Sequence, residues 1–430
     1  MSQISIKEKA PLKGEIAPPS DKSISHRAII LAALANGRSI IRNFLQAEDP
    51  LRTLQAFRQM GVEIEEKTPE REIIIHGKGL DGLKEPADII DCGNSGTTMR
   101  LLSGVLAGQS FTSTLTGDKY LLRRPMQRII KPLAEMGALI TSENSGYPPL
   151  KIKGGGLKPI NYISPVASAQ VKSAILFAGL YCEGLTTVTE PEKSRDHTER
   201  MLGAAGVDIK VGGLKVGVKG RAALKPMEIT VPGDFSSAAF FMVAGSIIPG
   251  SEILIKNTGI NPTRTGLMDI LKMMGADIRF HNMREVSGEP VADISVNYAA
   301  LGGIEVGGEM VLRAIDEFPI LCVAAAKAKG TTRITGAGEL RVKESDRIAS
   351  MAAELRKMGV SIEELEDGLI IEGRERLNAA VIQSHGDHRI AMAMLIAGLT
   401  AEGETRVEDI DCVNTSFPGF VEMLKGLMKR

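Results

Sequence analysis

The stretch SDKSISHRAIILAALANGRSIIRNF at residues 20–44, continued by LRTLQAFRQMGVEI at 51–64, decides the fold. A polar cluster opens an apolar run, Gly37 ends it, a β-branched stretch follows, and a second segment ends at Gly61. Ala28 to Ala35 is apolar on every side, the mark of a helix without a solvent face. Leu54, Phe57 and Met60 instead share one side opposite Arg52, Gln55 and Gln59, as in a helix that covers a core. The Ile-rich run from Arg71 to His76 then reads as strand.

Working outward, the same order returns five more times. GNSGTTMRLLSGVLAG opens a copy at 93, ASAQVKSAILFAGLYCEG at 167, GDFSSAAFFMVAGSIIPG at 233, AIDEFPILCVAAAKAKG at 314 and GDHRIAMAMLIAGLTAEG at 386. The first helices end at Gly37, Gly108, Gly184, Gly250, Gly330 and Gly403. The second helices end at Gly61, Gly137, Gly206, Gly275 and Gly359, at spacings of 24, 29, 22, 25 and 29 residues. A unit close to βαβαββ, repeated six times with buried helices and sheets outside them, is the predicted α/β architecture. Pro232-Gly233 divides it three and three. The segment up to Ser20, strand-like at Ile4 to Ile6, could pair with either half.

The chain has 430 residues, and 52 Lys and Arg balance 52 Asp and Glu. That neutrality disfavours a polyanion such as nucleic acid as partner. Four cysteines, at 92, 182, 322 and 412, form no C-x-x-C pair and imply a reducing, cytoplasmic setting. The longest uncharged stretches, 101–117 and 235–251, are too short and too polar to span a bilayer, and no export signal is visible.

Chemistry concentrates where the helices begin. A helix N-terminus exposes N–H groups and partial positive charge, so it attracts anions. Ser20, Asn94 and Asp234 are explained as well by capping as by ligand binding. Lys22, Arg27 and Arg389 are not, because a cation there opposes the dipole unless an anion is near. Arg123-Arg124-Pro125 precedes another helix. Lys343-Glu344-Ser345-Asp346-Arg347 opens one, with Lys343 and Arg347 expected one turn apart on one face. The G-x-G-x-x-G at 77–82 lacks a following helix and is no dinucleotide fingerprint. His385 and His388 lack a third metal ligand at suitable spacing.

At these residues the chain resembles the enolpyruvyl transferase family, in its branch that acts on shikimate 3-phosphate. The resemblance spans essentially the whole chain. It rests on SDKSISHRA at 20–28, GNSGTTMRLL at 93–102, RRPM at 123–126, SAQVKSA at 168–174, NPTR at 261–264, Ile315-Asp316, VKESDR at 342–347 and DHRIAM at 387–392. It implies a two-domain inside-out α/β barrel with three βαβαββ repeats per domain, residues 21–231 forming one domain and 1–20 with 232–430 the other. It implies transfer of the enolpyruvyl group of phosphoenolpyruvate to the 5-hydroxyl of 3-phosphoshikimate, in the shikimate pathway to chorismate and aromatic amino acids. No metal or cofactor is expected, and the enzyme is expected to be a cytoplasmic monomer without membrane or nucleic-acid partners.

By this resemblance Ser23 and Arg27 hold the shikimate carboxylate, Ser168 the phosphate with Ala169, Gln170 and Arg195 nearby, and Asp316 and Lys343 the hydroxyls. Lys22, Gly96, Arg124, Gln170, Arg347 and Arg389 hold phosphoenolpyruvate, and Lys22 serves both substrates. Asp316 is the expected base and Glu344 the expected acid. The seven cations and two carboxylates among these residues leave five positive charges for the roughly six negative charges of two substrates. Ala169 stands where many members have Ser, and Thr415 where many have Lys. Both features, with Arg195-Asp196-His197-Thr198-Glu199, resemble the second, often glyphosate-tolerant class, although Gly96 lacks the Ala often linked to tolerance. Two alternatives remain: the sibling transferase for UDP-N-acetylglucosamine, which uses a reactive Cys absent from Lys119 to Arg124, and a non-catalytic anion binder.

Overall fold

The computed structural model describes residues 2–7, 10–67 and 69–428. Two compact units emerge: Ser20–Val231 with Val286–Gly288, and Met1–Pro19 with Pro232–Glu285 and Glu289–Arg430.

In the first unit each copy builds one four-stranded sheet of the same connectivity. In the second copy, Ile90–Asp91 runs parallel to Thr112–Thr116, which pairs antiparallel with Tyr147–Lys153, itself antiparallel to Leu139–Glu143. The third copy does the same with Asn161–Ile163, Leu185–Thr189, Lys215–Lys219 and Ile209–Gly212. The first copy has no opening strand of its own. Glu228–Thr230, the last strand of the unit, pairs parallel with Asn36–Arg42 in its place.

The second unit solves the same problem with the N-terminal segment. Lys13–Ile16 supplies the parallel edge of the fourth copy, against Glu252–Gly259. The fifth copy is regular, with Glu305–Val306, Thr331–Ile334, Gly368–Glu372 and Ser361–Leu365. The sixth keeps the closing helix read around FVEMLKGL at 420–427 but shows no hairpin after it among the described residues. After Thr405–Glu408 the chain forms a 3₁₀ turn at Ile410–Thr415 and the helix Phe420–Met428 instead of a hairpin, and Gln3–Ile6 pairs antiparallel with Thr405–Glu408 where the hairpin would stand. Residues 411–430 contain no alternating β-branched run from which a hairpin could form.

The first helix of each copy lies inside its unit. These inner helices are Lys22–Leu34, Gly96–Ala107 and Ala169–Gly179 in one unit and Phe235–Ile247, Phe318–Lys327 and His388–Gly398 in the other. All thirteen residues of Phe235–Ile247 are buried. Helices without a wet face need close contact, and Gly104 provides it: a Cβ there would lie 2.2 Å from the Ala174 carbonyl oxygen. Each unit packs its own apolar core around these helices.

The glycine cadence has a conformational cause. All five second-helix glycines, and every first-helix glycine except Gly108, have positive φ. For the second-helix glycines this is the left-handed C′ position that ends a helix at least cost with Gly, whereas Gly37, Gly184, Gly250, Gly330 and Gly403 lie two or more residues past their helix caps. Gly77, the first glycine of the dismissed G-x-G-x-x-G, is a packing residue, since a Cβ there would meet the Ala35 carbonyl at 2.2 Å.

Candidate active site

The named residues fall into two groups, one in each unit. In the first unit Lys22 begins its inner helix, capped by Asp21, whose carboxylate accepts from Ile24 N–H at 2.8 Å. Ser20 is therefore not the cap. Lys22 Nζ lies 3.0 Å from Asp49 Oδ2. One turn on, the buried Arg27 guanidinium donates to three neutral oxygens: Thr198 Oγ1 at 2.6 Å, Ser173 Oγ at 2.8 Å and the Ser23 carbonyl at 3.0 Å. Between them His26 is fully buried, its Nδ1 2.7 Å from Thr53 Oγ1. Burial, then the Lys22 and Arg27 charges, hold its pKa well below the ordinary 6.5, so it is neutral.

Ser95, not Asn94, caps the helix that Gly96 begins. This frees Asn94 to accept from Arg124 Nη2 and to donate to Asp118 at 3.0 Å. Arg124 follows the 3₁₀ turn Leu121–Arg123. A Cβ on Gly96 would lie 2.7 Å from Arg100 Nη1 and 3.1 Å from Arg124 Nη1, so both guanidinium groups crowd that N-terminus. Arg100 Nη1 donates to Gln170 Oε1 at 2.8 Å, and Gln170 Nε2 to Thr97 at 2.9 Å. The structure thus brings Gly96, Arg124 and Gln170 together, with Arg100 added.

Ser168 caps the third inner helix, its Oγ accepting from Val171 N–H at 3.4 Å. Ala169 offers only its backbone, and its carbonyl accepts from Ser173. Arg195 sits half-buried just ahead of the helix His197–Ala204. Beneath Ser168 lies an ion triad outside the sequence expectation. Lys172 Nζ is 2.8 Å from Glu190 and 2.7 Å from Glu199, all three nearly inaccessible. Burial alone would lower the Lys172 pKa, but Glu199 and Glu190 more than reverse this and keep it charged. A lysine inside the mostly apolar run AQVKSAILFAG was the available signal.

In the second unit the fifth copy carries both Asp316 and Glu344, and Arg347 gathers them. Buried and 1% exposed, Arg347 places Nε 2.7 Å from Asp387 Oδ2, Nη2 2.7 Å from Glu344 Oε2 and Nη1 3.4 Å from Asp316 Oδ1. Burial opposes its charge, yet Asp387, Glu344 and Asp316 outweigh that and raise its pKa above the ordinary arginine value. Arg389 Nη1 donates to the Asp316 carbonyl at 3.0 Å, and its Nη2 lies 3.6 Å from Asp316 Oδ2.

Lys343 is not one helical turn from Arg347. It lies in extended backbone after the 3₁₀ turn Gly338–Val342, and the helix starts only at Arg347 because Asp346 caps it through Ala349 N–H. Burial lowers the Lys343 pKa, against the pull of Asp316 and Glu344. Asp49 on Lys22 and Asp387 on Arg347 are counter-ions absent from the sequence count.

His385 and His388 take separate partners. His385 Nε2 is 2.8 Å from Glu354, and His388 Nδ1 is 3.4 Å from Thr415 Oγ1. Thr415 ends the Ile410–Thr415 turn and donates to the Cys412 carbonyl. The thiols offer no nucleophile. Burial pushes Cys92, Cys182 and Cys322 up, and Cys412 to about 12. No described helix is long and apolar enough to cross a membrane.

The family model for EPSP synthase (3-phosphoshikimate 1-carboxyvinyltransferase) matches residues 6–424. The chain is 54% identical over 433 residues to 3-phosphoshikimate 1-carboxyvinyltransferase of Citrifermentans bemidjiense, covering all of both chains. It is 56% identical over 428 residues to that of Geotalea uraniireducens, covering 99% of each. Among solved structures, the 2.37 Å structure of EPSP synthase from Acinetobacter baumannii is 50% identical with a TM-score of 0.88, over 99% of this chain and 98% of that one.

Proposed function

The chain belongs to the EPSP synthase family, and on that footing we propose how its residues divide the work. The enzyme transfers the enolpyruvyl group of phosphoenolpyruvate to the 5-hydroxyl of 3-phosphoshikimate and releases phosphate, a step toward chorismate and the aromatic amino acids. In the proposed mechanism Asp316 takes the proton of the 5-hydroxyl as its oxygen attacks C2 of phosphoenolpyruvate, and Glu344 protonates the C3 methylene. The tetrahedral product then loses a proton from C3 as the C2–O bond to phosphate breaks, which restores the double bond.

The observation that carries this assignment is the sharing of Arg347 by Asp316 and Glu344, at 3.4 and 2.7 Å. One buried cation sets the positions of base and acid together. Arg347, Arg389, Arg124, Lys22, Gly96 and Gln170 are proposed to hold phosphoenolpyruvate. Ser23, Arg27, Ser168, Ala169, Gln170, Arg195 and Lys343 are proposed to hold 3-phosphoshikimate, with Asp316 and Lys22. Arg100, on Gln170, joins the phosphoenolpyruvate group. A monomer in the cytoplasm, of the second class, is part of the proposal, supported by the family resemblance, by four cysteines without a C-x-x-C pair and by Ala169 and Thr415.

Phosphate release tests the reaction. It should require 3-phosphoshikimate and phosphoenolpyruvate together. Release with UDP-N-acetylglucosamine in place of 3-phosphoshikimate, or no release with either, would overturn it.

A further inference from the structure

We propose that Glu190, held by Lys172, is a positioning residue for the 3-phosphate of the shikimate substrate. The inference rests on the reading that Ser168 meets that phosphate. Ser168 is the N-cap of the helix Ala169–Gly179, so its own N–H has no place in the helical ladder. Glu190 Oε1 accepts that N–H at 3.1 Å. The other oxygen, Oε2, is 2.8 Å from Lys172 Nζ, which also meets Glu199 Oε1 at 2.7 Å. Glu190 is 3% exposed and Lys172 2%, so neither side chain can swing away into water.

The arrangement fixes the Ser168 backbone from below and spares its hydroxyl, whose cap bond to Val171 N–H is long at 3.4 Å. A hydroxyl held that loosely turns to an incoming anion at little cost. A carboxylate beneath a phosphate would ordinarily repel it. Lys172, shared with Glu199, offsets part of that charge, which gives the ammonium buried in this helix a role. The same network reaches the proposed carboxylate clamp: Thr198, next to Glu199 in sequence, accepts from Arg27 Nε at 2.6 Å and lies 2.6 Å from Ser173 Oγ. Ala169 supplies no hydroxyl, so the geometry of the remaining Ser168 donor carries more of the phosphate selectivity.

The test is Glu190→Gln, an isosteric change that leaves Lys172 and Glu199 as a balanced pair and so preserves the fold. An amide has one acceptor where the carboxylate uses two. The charged Lys172 donor takes it, and the amide NH₂ then faces Ser168 N–H. Calorimetric affinities for 3-phosphoshikimate and for shikimate, which lacks the phosphate, are compared in wild type and variant. The expected result is about tenfold weaker binding of 3-phosphoshikimate, the scale of one lost hydrogen bond to a charged group, with shikimate changed less than about twofold. Equal weakening of both ligands, or unchanged or tighter 3-phosphoshikimate binding, would overturn the proposal. A wild-type protein that binds 3-phosphoshikimate no better than shikimate would instead overturn the functional reading beneath it.

Discussion

Replacing Glu344 with Gln separates the chemical role of this side chain from its structural one. Glu344 Oε2 is 2.7 Å from Arg347 Nη2, but Arg347 keeps Asp387 at 2.7 and 3.3 Å and Asp316 at 3.4 Å. Its charge therefore stays compensated inside the unit. The Glu344 side chain is 23% exposed, so water replaces part of what the pair supplied, and the stability cost is about 1 kcal/mol. In a unit of some 200 residues that lowers Tm by roughly 2–4 °C. Turnover behaves differently, because the amide cannot deliver a proton to the methylene carbon. A loss of about 10²-fold is expected, near 2.7 kcal/mol of barrier, with 3-phosphoshikimate binding little changed. Phosphate release gives the rate, calorimetry the affinity and a thermal scan the Tm. A rate within about threefold of wild type would refute the acid role. A Tm fall beyond about 10 °C would instead show that the variant loses activity by unfolding.

Lys22→Met should reduce turnover by about 10³-fold or more and weaken phosphoenolpyruvate binding in a chain that stays folded by circular dichroism; calorimetry showing unchanged phosphoenolpyruvate affinity in the ternary mixture would remove Lys22 from that site. Gly96→Ala places a Cβ 2.7 Å from Arg100 and 3.1 Å from Arg124, and the flexible guanidinium ends can yield without unfolding. Its KM for phosphoenolpyruvate should rise about tenfold while that for 3-phosphoshikimate stays within about twofold; equal KM values in variant and wild type would refute this. His26 gives a pH prediction. The unfolded chain binds its proton near 6.5 while the buried native ring does so only far below, so stability present above 6.5 is lost as pH falls from there toward the lowered native value. Between pH 6.5 and 5.5 this contributes about 1 kcal/mol. Urea titrations should show a shallower loss in His26→Asn, and parallel slopes would exclude His26 as the source.

The repeat, the buried first helices, the amphipathic second helices and the site cations were legible in the sequence because their causes are short-range. Apolar periodicity and the left-handed glycines at Gly61 or Gly137 act within a few residues. The expectation of an anion-binding site was equally local, since Lys22 or Arg389 in the first turn of a helix conflicts with the dipole wherever that helix lies. What only the tertiary structure decided involves partners distant in the chain. Asp387 neutralises Arg347 from 40 residues away, and Glu190 reaches Ser168 across 22. The edge strands Glu228–Thr230 and Lys13–Ile16 close sheets begun far from them in sequence. Lys343 read as helical from its spacing, yet Asp346 capped the helix after it, because capping competes with periodicity and the winner depends on which backbone the surrounding fold already holds. No periodicity selects among these partners. Ion pairing and strand pairing depend on distance in space, which exists only once the inner helices have packed.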